Sequence, residues 1–287
     1  MIRLLITGAN SYVGIEFEKY LSNSTSGKYT IDTVDMISDE WKNTDFSKYD
    51  VVFHVAAIVH SPNAPAELFY KVNRDLAIEV GTTAKSCGVK QFVLMSSMNV
   101  FGLDVGVIDE NTALKPVSDY GKSKLEADIE LYRLNDETFN VAIIRAPMIY
   151  GKGCKGNYNR MEKFALKSPV FPSINNKRDM IYIGNLVDYL KYVLENNVSG
   201  ILYPKDPQRV CTAEMVKLIA KANNHNIYFW KIFNPFIKLL MTDKNIFALV
   251  FGDNYCEIND SFEWNAPYDL SRAVQEIYHL KNQGNMK

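Results

Sequence analysis

Short apolar runs alternate with segments of helical periodicity along the first half of the chain. A strand buried on both faces of a sheet is apolar at nearly every position, whereas a helix repeats apolar residues at three- and four-residue spacing. We therefore predict strands at residues 2–7, 29–35, 51–57, 91–97 and 141–145, and helices at residues 12–21, 62–87 and 119–134. This alternation is typical of an α/β fold with a doubly wound parallel sheet.

Two features interrupt the alternation. The stretch between Asp35 and Asp50 is too short for a crossover helix and a further strand, so we predict a shortened or missing helix there. After about residue 150 the chain is richer in loops. The pattern there predicts helices at 184–196, 212–223, 235–241 and 270–280, and short strands at 200–203 and 227–231. We expect two domains, residues 1–150 and residues 151–287, the second a smaller C-terminal α/β lobe interleaved with the first.

Composition narrows the class of protein. The 287 residues carry 32 Lys+Arg and 33 Asp+Glu, a formal net charge of −1. This balance gives no electrostatic reason to expect nucleic acid or a membrane as a partner. The apolar stretch at 232–251 contains Lys238 and Asp243, so we predict a buried or partner-facing helix and not a membrane span.

The cysteines indicate the compartment. Four cysteines, at positions 87, 154, 211 and 256, form no CxxC pair and are too sparse for a disulfide framework. They favour a reducing compartment, so we expect a cytoplasmic protein. No signal peptide and no metal site are predicted.

A glycine-containing turn follows the first predicted strand and opens the first helix. The segment reads Thr-Gly-Ala-Asn-Ser-Tyr-Val-Gly from Thr7 to Gly14. In this context the first glycine makes a tight turn, the last allows close helix–strand packing, and the helix N-terminus attracts a pyrophosphate. We predict a Rossmann-type dinucleotide site in the first domain, with these residues against the cofactor: Gly8, Asn10, Ser11, Tyr12, Val13 and Gly14.

The residue at the end of the second predicted strand distinguishes the two nicotinamide cofactors. Asp35 lies where an acid accepts hydrogen bonds from the adenosine ribose and repels a 2′-phosphate. We therefore expect NAD, with NADP less favoured.

A Tyr–Lys pair carries the candidate chemistry. Tyr120 and Lys124 are four residues apart on a predicted helix, so their side chains share a face. We expect the ammonium to lower the pKa of the phenol and make it an acid–base group. Ser97 ends a strand at the edge where open α/β sheets bind ligands, and its hydroxyl can hold a substrate oxygen against Tyr120.

Together these motifs identify a family. The chain resembles the extended short-chain dehydrogenases/reductases of the NAD-dependent nucleotide-sugar epimerase/dehydratase family. The matching pieces are Gly8 to Gly14, Asp35, His-Val-Ala-Ala at 54–57, Asn73, Ser96-Ser97, Tyr120, Lys124 and Arg-Ala-Pro-Met-Ile-Tyr-Gly at 145–151. The resemblance implies that Ser97, Tyr120 and Lys124 are catalytic and that Lys124 binds the nicotinamide ribose. It also implies that Ala56 and Ala57 lie along the cofactor and that Pro147 lies near the nicotinamide ring.

Departures from the family pattern restrict the reaction. Ser11 stands where a glycine is usual, and Met98 and Asn99 follow Ser97 where dehydratases of the group carry an acidic pair. The dehydratase reaction is therefore disfavoured. A UDP-sugar 4-epimerase and a reductase of a 4-keto sugar use the same Ser/Tyr/Lys set, and both remain open. The C-terminal third resembles a subgroup that includes UDP-N-acetylquinovosamine dehydrogenases.

The substrate side is predicted in the second domain. The resemblance implies that Asn157 binds the diphosphate of a nucleotide sugar, and Arg178 or Arg209 can pair with that diphosphate. Ser97, Met98 and Asn99 complete the predicted substrate-binding set. A homodimer through the helices at 62–87 and 119–134 is a further expectation. Two alternatives stay open: a non-catalytic NAD(P)-binding sensor or scaffold of this fold, and a reductase of a non-sugar carbonyl compound.

Overall fold

The computed structural model describes residues 1–24, 27–59, 61, 63–241 and 246–284. Strands run through Ile2–Thr7 (β1), Tyr29–Val34 (β2), Val51–His54 (β3), Gln91–Ser97 (β4), Gly106–Ile108 (β5), Asn140–Ala146 (β6), Met148–Tyr150 (β7), Val170–Pro172 (β8), Met180–Tyr182 (β9), Gly200–Leu202 (β10), Tyr228–Trp230 (β11) and Asn254–Cys256 (β12). Helices run through Tyr12–Ser24 (α1), Ala66–Phe69 (α2), Leu76–Ser86 (α3), Asp119–Tyr132 (α4), Asn157–Lys167 (α5), Ile183–Glu195 (α6), Thr212–Ala222 (α7), Asn234–Leu240 (α8), Ile246–Phe251 (α9) and Leu270–Gly284 (α10).

A six-stranded parallel sheet confirms the predicted fold class. Its order is β10-β6-β4-β3-β1-β2, and every neighbouring pair is parallel. From β1 the chain moves to β2 on one side and then to β3 on the other, so the winding direction reverses between β1 and β3. Ligands of doubly wound sheets bind at this switch point, beyond the carboxyl ends of the strands.

The predicted shortening after Asp35 is confirmed. Two short 3₁₀ turns, Asp39–Asn43 and Phe46–Lys48, replace a crossover helix. Each turn buries one aromatic ring, Trp41 and Phe46, whose centroids lie 6.2 Å apart. These rings join the core that α3 and α4 form against the sheet, and so cover the area that a helix would otherwise bury.

Several predicted elements differ at their ends. The strand predicted at 51–57 ends at His54, and the one predicted at 29–35 ends at Val34. The helix predicted at 62–87 begins at Ala66, and residue 62 lies outside the described residues. Between α2 and α3 the backbone forms a π-helical turn at Tyr70–Asp75, which side-chain periodicity does not indicate.

The chain divides into two units that interleave along the sequence. Unit 1 contains residues 1–102, 113–146 and 186–204, and unit 2 contains residues 103–112, 147–185 and 205–287. The strand predicted at 200–203 was expected in the smaller lobe, but β10 pairs with β6 and extends the central sheet of unit 1. The buried Gln91 amide fixes the preceding segment, because it donates to the carbonyl oxygens of Val193 and Val198 at 3.1 and 3.0 Å.

Unit 2 is built from two-stranded pairs and helices, and the carboxylate of Asp206 is buried among them. The parallel pairs are β7–β9, β5–β12 and β8–β11. Asp206 accepts hydrogen bonds from the Tyr150 hydroxyl at 2.8 Å, the Asn185 amide at 2.7 Å and the Tyr182 backbone N–H at 3.0 Å. Burial raises the pKa of Asp206 to about 6, and these donors oppose the rise.

The apolar stretch at 232–251 was expected to be a buried or partner-facing helix. Residues 242–245 lie outside the described residues, and the remainder forms two short helices, α8 and α9. The expectation of a buried helix is wrong for α8, since Phe236 and Leu239 are mostly exposed. Within the described ranges, no helix combines the length and the apolar character needed to cross a bilayer.

The first testable prediction concerns the shortened crossover. Trp41→Ala removes a fully buried ring from the face of the sheet, and we expect the free energy of unfolding to fall by about 3–5 kcal/mol. Urea unfolding followed by circular dichroism measures the loss. Trp230→Ala removes the same side chain from a half-exposed position and should change stability by about 0.5 kcal/mol or less. If Trp41→Ala and Trp230→Ala lose the same free energy of unfolding, the buried rings of the 3₁₀ turns do not take over the packing of the missing crossover helix.

Candidate active site

The glycine turn places the ends of β1 and β3 in close contact. Gly8 has φ +117°, and a Cβ atom there would lie 2.7 Å from the backbone nitrogen of Ala56. The N–H groups of Val55 and Ala56 both donate to the Thr7 carbonyl oxygen at 3.0 Å. Only glycine fits this turn, because any side chain would force the two loops apart. Predicted cofactor residues of both loops therefore meet at the switch point.

Ser11 closes the first turn of α1. Its Oγ accepts a hydrogen bond from the Gly14 backbone N–H at 3.1 Å, and its own N–H donates to the Gly8 carbonyl oxygen at 3.0 Å. Tyr12 and Val13 form the first helical turn, whose leading N–H groups have no partner within the helix. The serine thus substitutes for the usual glycine by capping the helix and leaves the turn intact.

Asp35 directly follows β2 beside this turn. Its carboxylate accepts hydrogen bonds from the Ile37 backbone N–H at 2.9 Å and from the Asn10 amide at 3.3 Å. Asn10 therefore orients the exposed carboxylate that is predicted to receive a ribose. The side-chain-free cradle at Gly8, the helix N-terminus and this carboxylate fit the pyrophosphate and ribose of a dinucleotide.

Close approach between the end of β4 and the start of α4 brings Ser97 and Tyr120 together. A Cβ atom on Gly121 would lie 2.7 Å from the Asn99 carbonyl oxygen, so the helix packs against the loop with no side chain between them. The Ser118 hydroxyl caps α4 by accepting from the Gly121 N–H at 3.1 Å. Ser97 accepts from the Asn99 N–H at 3.2 Å, and its hydroxyl lies near enough to the Tyr120 phenol to lower the pKa of that phenol. Met98 is half-buried and Asn99 exposed in this loop.

Lys124 is a buried ammonium one turn below Tyr120. Its Nζ donates to the Met95 carbonyl oxygen at 2.7 Å, and almost none of the side chain is exposed. Burial lowers the pKa of Lys124 to about 8, and the charge of Asp128 opposes this decrease. The ammonium therefore titrates close to neutral pH.

The sequence analysis missed Asp128, which controls the charge balance around Lys124. The Asp128 carboxylate is buried and accepts from Arg145 Nε at 3.0 Å, and Arg145 also donates to the Tyr203 hydroxyl at 3.1 Å. Burial raises the pKa of Asp128, whereas Arg145, Ser96 and Lys124 lower it. The signal was available, since Asp128 continues the four-residue spacing of Tyr120 and Lys124.

The expected effect of Lys124 on the phenol is wrong for this structure. Burial raises the pKa of Tyr120 to about 12. The nearby Ser97 hydroxyl lowers this pKa, and the charge of Asp128 raises it. Lys124 directs its ammonium at the Met95 carbonyl, so its field does not overcome desolvation of the phenol. At neutral pH the phenol is protonated and can donate a proton.

Asn73 fastens the loop after β3 to α4. The side chain lies fully buried in the π-helical turn. Its Oδ1 accepts from the Ile58 N–H at 2.8 Å, while Nδ2 donates to the Ile58 carbonyl oxygen at 3.1 Å and to Ser123 Oγ at 3.3 Å. Ala56 and Ala57, predicted along the cofactor, precede the clamped residue. The sequence offered Asn73 only as part of a resemblance.

His54 completes the polar set at the switch point. Its Nδ1 lies 2.8 Å from Thr7 Oγ1, and both residues are fully buried. Burial, together with the charge of Lys124, lowers the pKa of His54 to about 3. A neutral imidazole therefore links the ends of β1 and β3, and it is unsuited to carry a charge in the reaction.

The remaining predicted residues belong to unit 2. Pro147 follows Ala146, the residue paired with Ser97 across β4 and β6. Asn157 is exposed and is the first residue of α5, after Gly156 at the capping position.

The two predicted arginines differ in their surroundings. Arg178 is half-buried and donates to the Gly252 carbonyl oxygen at 2.8 Å; burial lowers its pKa, while Asp104 and Asp253 raise it. Arg209 stacks on Tyr255 with its guanidinium carbon 3.8 Å from the ring centroid. Arg209 also lines a cavity of about 790 Å³ within unit 2, together with Lys177, Lys205 and Glu214, and Arg178 does not line it.

Comparison with known proteins places these features in a family. Residues 4–203 match the model of the NAD dependent epimerase/dehydratase family. A UDP-glucose 4-epimerase from Vibrio cholerae is 30% identical over 321 residues, which cover 98% of this chain and 96% of the relative.

Solved structures of low sequence identity share the fold. A UDP-glucuronic acid 4-epimerase from Bacillus cereus in complex with NAD superposes with TM-score 0.73 and 18% identity, covering 98% of this chain and 99% of that one. A dTDP-4-dehydrorhamnose reductase from Bacillus anthracis in complex with NADP gives the same TM-score, identity and coverage. The fold, the motifs and the family match agree with one another, and the chain belongs to the NAD dependent epimerase/dehydratase family of enzymes.

Proposed function

We propose that this enzyme uses NAD(H) for redox chemistry at C4 of a nucleotide-activated hexose, as a 4-epimerase or as a reductase of a 4-keto sugar. The observation that carries the proposal is the cluster of Ser97, Tyr120 and the buried Lys124 at the carboxyl edge of the sheet. The relative from Vibrio cholerae is a UDP-glucose 4-epimerase, which supports the same class of substrate.

The binding of the cofactor is divided among several residues. The Gly8 turn, which has no room for a side chain, and the first turn of α1 would hold the pyrophosphate, and Asp35, oriented by Asn10, would accept hydrogen bonds from the adenosine ribose. Lys124 would hold the nicotinamide ribose, and Ala56, Ala57 and Pro147 would contact the cofactor. When bound, NAD supplies the site that accepts a hydride from C4 or returns one.

The phenol of Tyr120 moves the matching proton. In the direction of reduction, the protonated phenol donates its hydrogen to the C4 keto oxygen while Ser97 holds that oxygen in place. In the direction of oxidation, the phenolate form of Tyr120 takes the proton of the C4 hydroxyl. The ammonium of Lys124 stabilises the phenolate that forms on donation, and the charge of Asp128 keeps that ammonium protonated.

The substrate-binding residues belong to the proposal as well. Met98 and Asn99 follow Ser97 and offer no carboxylate pair, which argues against elimination of water. Asn157, Arg178 and Arg209 are proposed to bind the diphosphate, with Arg209 favoured because this residue lines a cavity. Turnover of UDP- and dTDP-hexoses and their 4-keto forms with NAD(H) tests the function, and absence of turnover across that panel would favour a non-sugar carbonyl substrate.

The assembly and location of the protein are part of the same proposal. Leu68, Ile129 and Tyr132 are large apolar residues exposed on the helices where a homodimer was predicted. All four cysteines are free, which supports a reducing, cytoplasmic environment. Intact Ser97, Tyr120 and Lys124 argue against a non-catalytic scaffold, since a scaffold has no need of a buried ammonium.

Removal of the Tyr120 hydroxyl tests the acid–base role. Tyr120→Phe keeps the ring and should lower kcat by about 10²–10⁴ without weakening NAD(H) binding. Lys124→Met should weaken both, because Lys124 also holds the ribose. Tyr132→Phe removes the same atom from an exposed position on the same helix and should leave kcat unchanged. A Tyr120→Phe enzyme that keeps more than about a tenth of kcat would refute the role.

Substitution of Asp35 tests the choice of cofactor. Asp35→Ser removes the charge that repels a 2′-phosphate, so the affinity for NADP(H) relative to NAD(H) should rise about tenfold or more. Calorimetric titration of both cofactors measures the ratio. Asp39→Ser removes an equal charge from an exposed 3₁₀ turn nearby and should not change it. Tighter binding of NADP(H) by the parent protein would overturn the assignment.

The pH dependence of the reaction tests the role of Asp128. Lys124 is charged below its pKa of about 8, so kcat/KM should decline as the pH rises through that value. Asp128→Asn removes the nearby negative charge, and the decline should move to lower pH by about one unit. Glu130→Gln removes an exposed charge from the same helix and should not move the profile. An unchanged profile in Asp128→Asn would mean that Asp128 only supports the fold.

A further inference from the structure

Five large apolar side chains of unit 2 are exposed within one short stretch. Tyr228 is 64% exposed, Trp230 48%, Ile232 77%, Phe236 63% and Leu239 77%. We refer to these five residues as the aromatic face. Scattered single exposures are normal, but contiguous apolar patches on a protein surface usually mark a binding surface.

The backbone holds the aromatic face in place. Side chains alternate along β11, so Phe229 points inward against Phe171, with ring centroids 6.1 Å apart, while Tyr228 and Trp230 point outward. Their partners in register on β8 are the apolar residues Val170 and Pro172.

The following helix continues the same surface. The Asn234 amide donates to the Ser173 carbonyl oxygen at 2.8 Å and ties the start of α8 to the end of β8. Ile237 is buried, which leaves Phe236 and Leu239 on the solvent side of the helix. Trp230 and Phe233 stack with centroids 5.6 Å apart and join the strand to the helix.

Charge distinguishes this surface from an ordinary protein contact. Residues 225–241 contain Lys231 and Lys238 but no Asp or Glu, in a chain whose acidic and basic residues otherwise balance. Lys231 is exposed between Trp230 and Ile232. Exposed Trp, Tyr and Phe beside Leu, Ile and Lys are the composition of segments that lie in a membrane interface.

We propose that the aromatic face docks unit 2 onto an anionic lipid surface. Its apolar side chains would enter the boundary between headgroups and acyl chains, while Lys231 would contact lipid phosphates. A second copy of the chain fits less well, because two such faces would oppose like charges. The proposed contact is peripheral, and it departs from the sequence-based expectation that no membrane is a partner. It does not rest on the proposed function, since docking requires no turnover.

Flotation with vesicles tests the proposal on the full-length protein. Vesicles of phosphatidylcholine with about a third phosphatidylglycerol should carry the protein upward, and vesicles of pure phosphatidylcholine should carry much less. The triple variant Trp230→Ser, Phe236→Ser, Leu239→Ser should bind anionic vesicles at least about tenfold more weakly. Val107→Ser, an exposed apolar residue elsewhere in unit 2, should bind like the parent.

Two further measurements separate docking from misfolding. Lys231→Glu leaves every apolar contact intact and should weaken binding to anionic vesicles alone. The tryptophan emission of the parent should shift to the blue on anionic vesicles. In Trp230→Phe flotation should persist while most of the shift is lost, because Trp41 is already buried and the half-buried Trp264 is not part of the aromatic face.

Two results would overturn the proposal. One is unchanged flotation in both the triple variant and Lys231→Glu. The other is a parent protein that binds no anionic vesicles. If that protein sediments as a dimer that the triple variant converts to a monomer, the aromatic face is assigned to self-association. Retained NAD(H) binding by the triple variant shows that unit 1 is folded in either case.

Discussion

The buried ammonium of Lys124 is the constraint around which unit 1 is organised. A charge removed from water requires compensation, and here the Met95 carbonyl oxygen and the Asp128 carboxylate provide it. Arg145 in turn hydrogen-bonds Asp128 and opposes the rise in its pKa that burial causes. The helix α4 contributes Lys124 and Asp128 to this cluster, and the strands β4 and β6 contribute Met95 and Arg145, so the catalytic geometry and the packing of the sheet cannot vary independently.

Much of unit 1 could be predicted from the sequence because its signals are local. Apolar runs located the strands, and the spacing of Gly8, Gly14 and Asp35 located the turn at the switch point. The same applies to Tyr120 and Lys124, whose four-residue spacing places both on one helix face. Even the missing crossover helix follows from counting the residues between Asp35 and Asp50.

The rest depends on contacts between residues far apart in sequence. The sequence of strand β10 does not indicate which strand it pairs with. The sequence pattern therefore predicted it in the smaller lobe, whereas it pairs with β6 in the central sheet. The pKa of Tyr120 depends on how deeply the phenol is buried, and no spacing rule reports burial. The exposure of Phe236 and Leu239 could not be predicted either, because an apolar run in the sequence has the same pattern whether the helix is buried or exposed.

The π-helical turn at Tyr70–Asp75 makes the length of this segment a constraint separate from its side chains. A π-helical turn holds one residue more than an α-helical turn, and each residue rotates a helix by about 100°. Deleting one residue here would restore regular winding, yet it would rotate Asn73 away from Ile58 and release the loop after β3. Along an evolving lineage, substitutions in this helix can therefore accumulate gradually, whereas its residue count is fixed once the clamp exists.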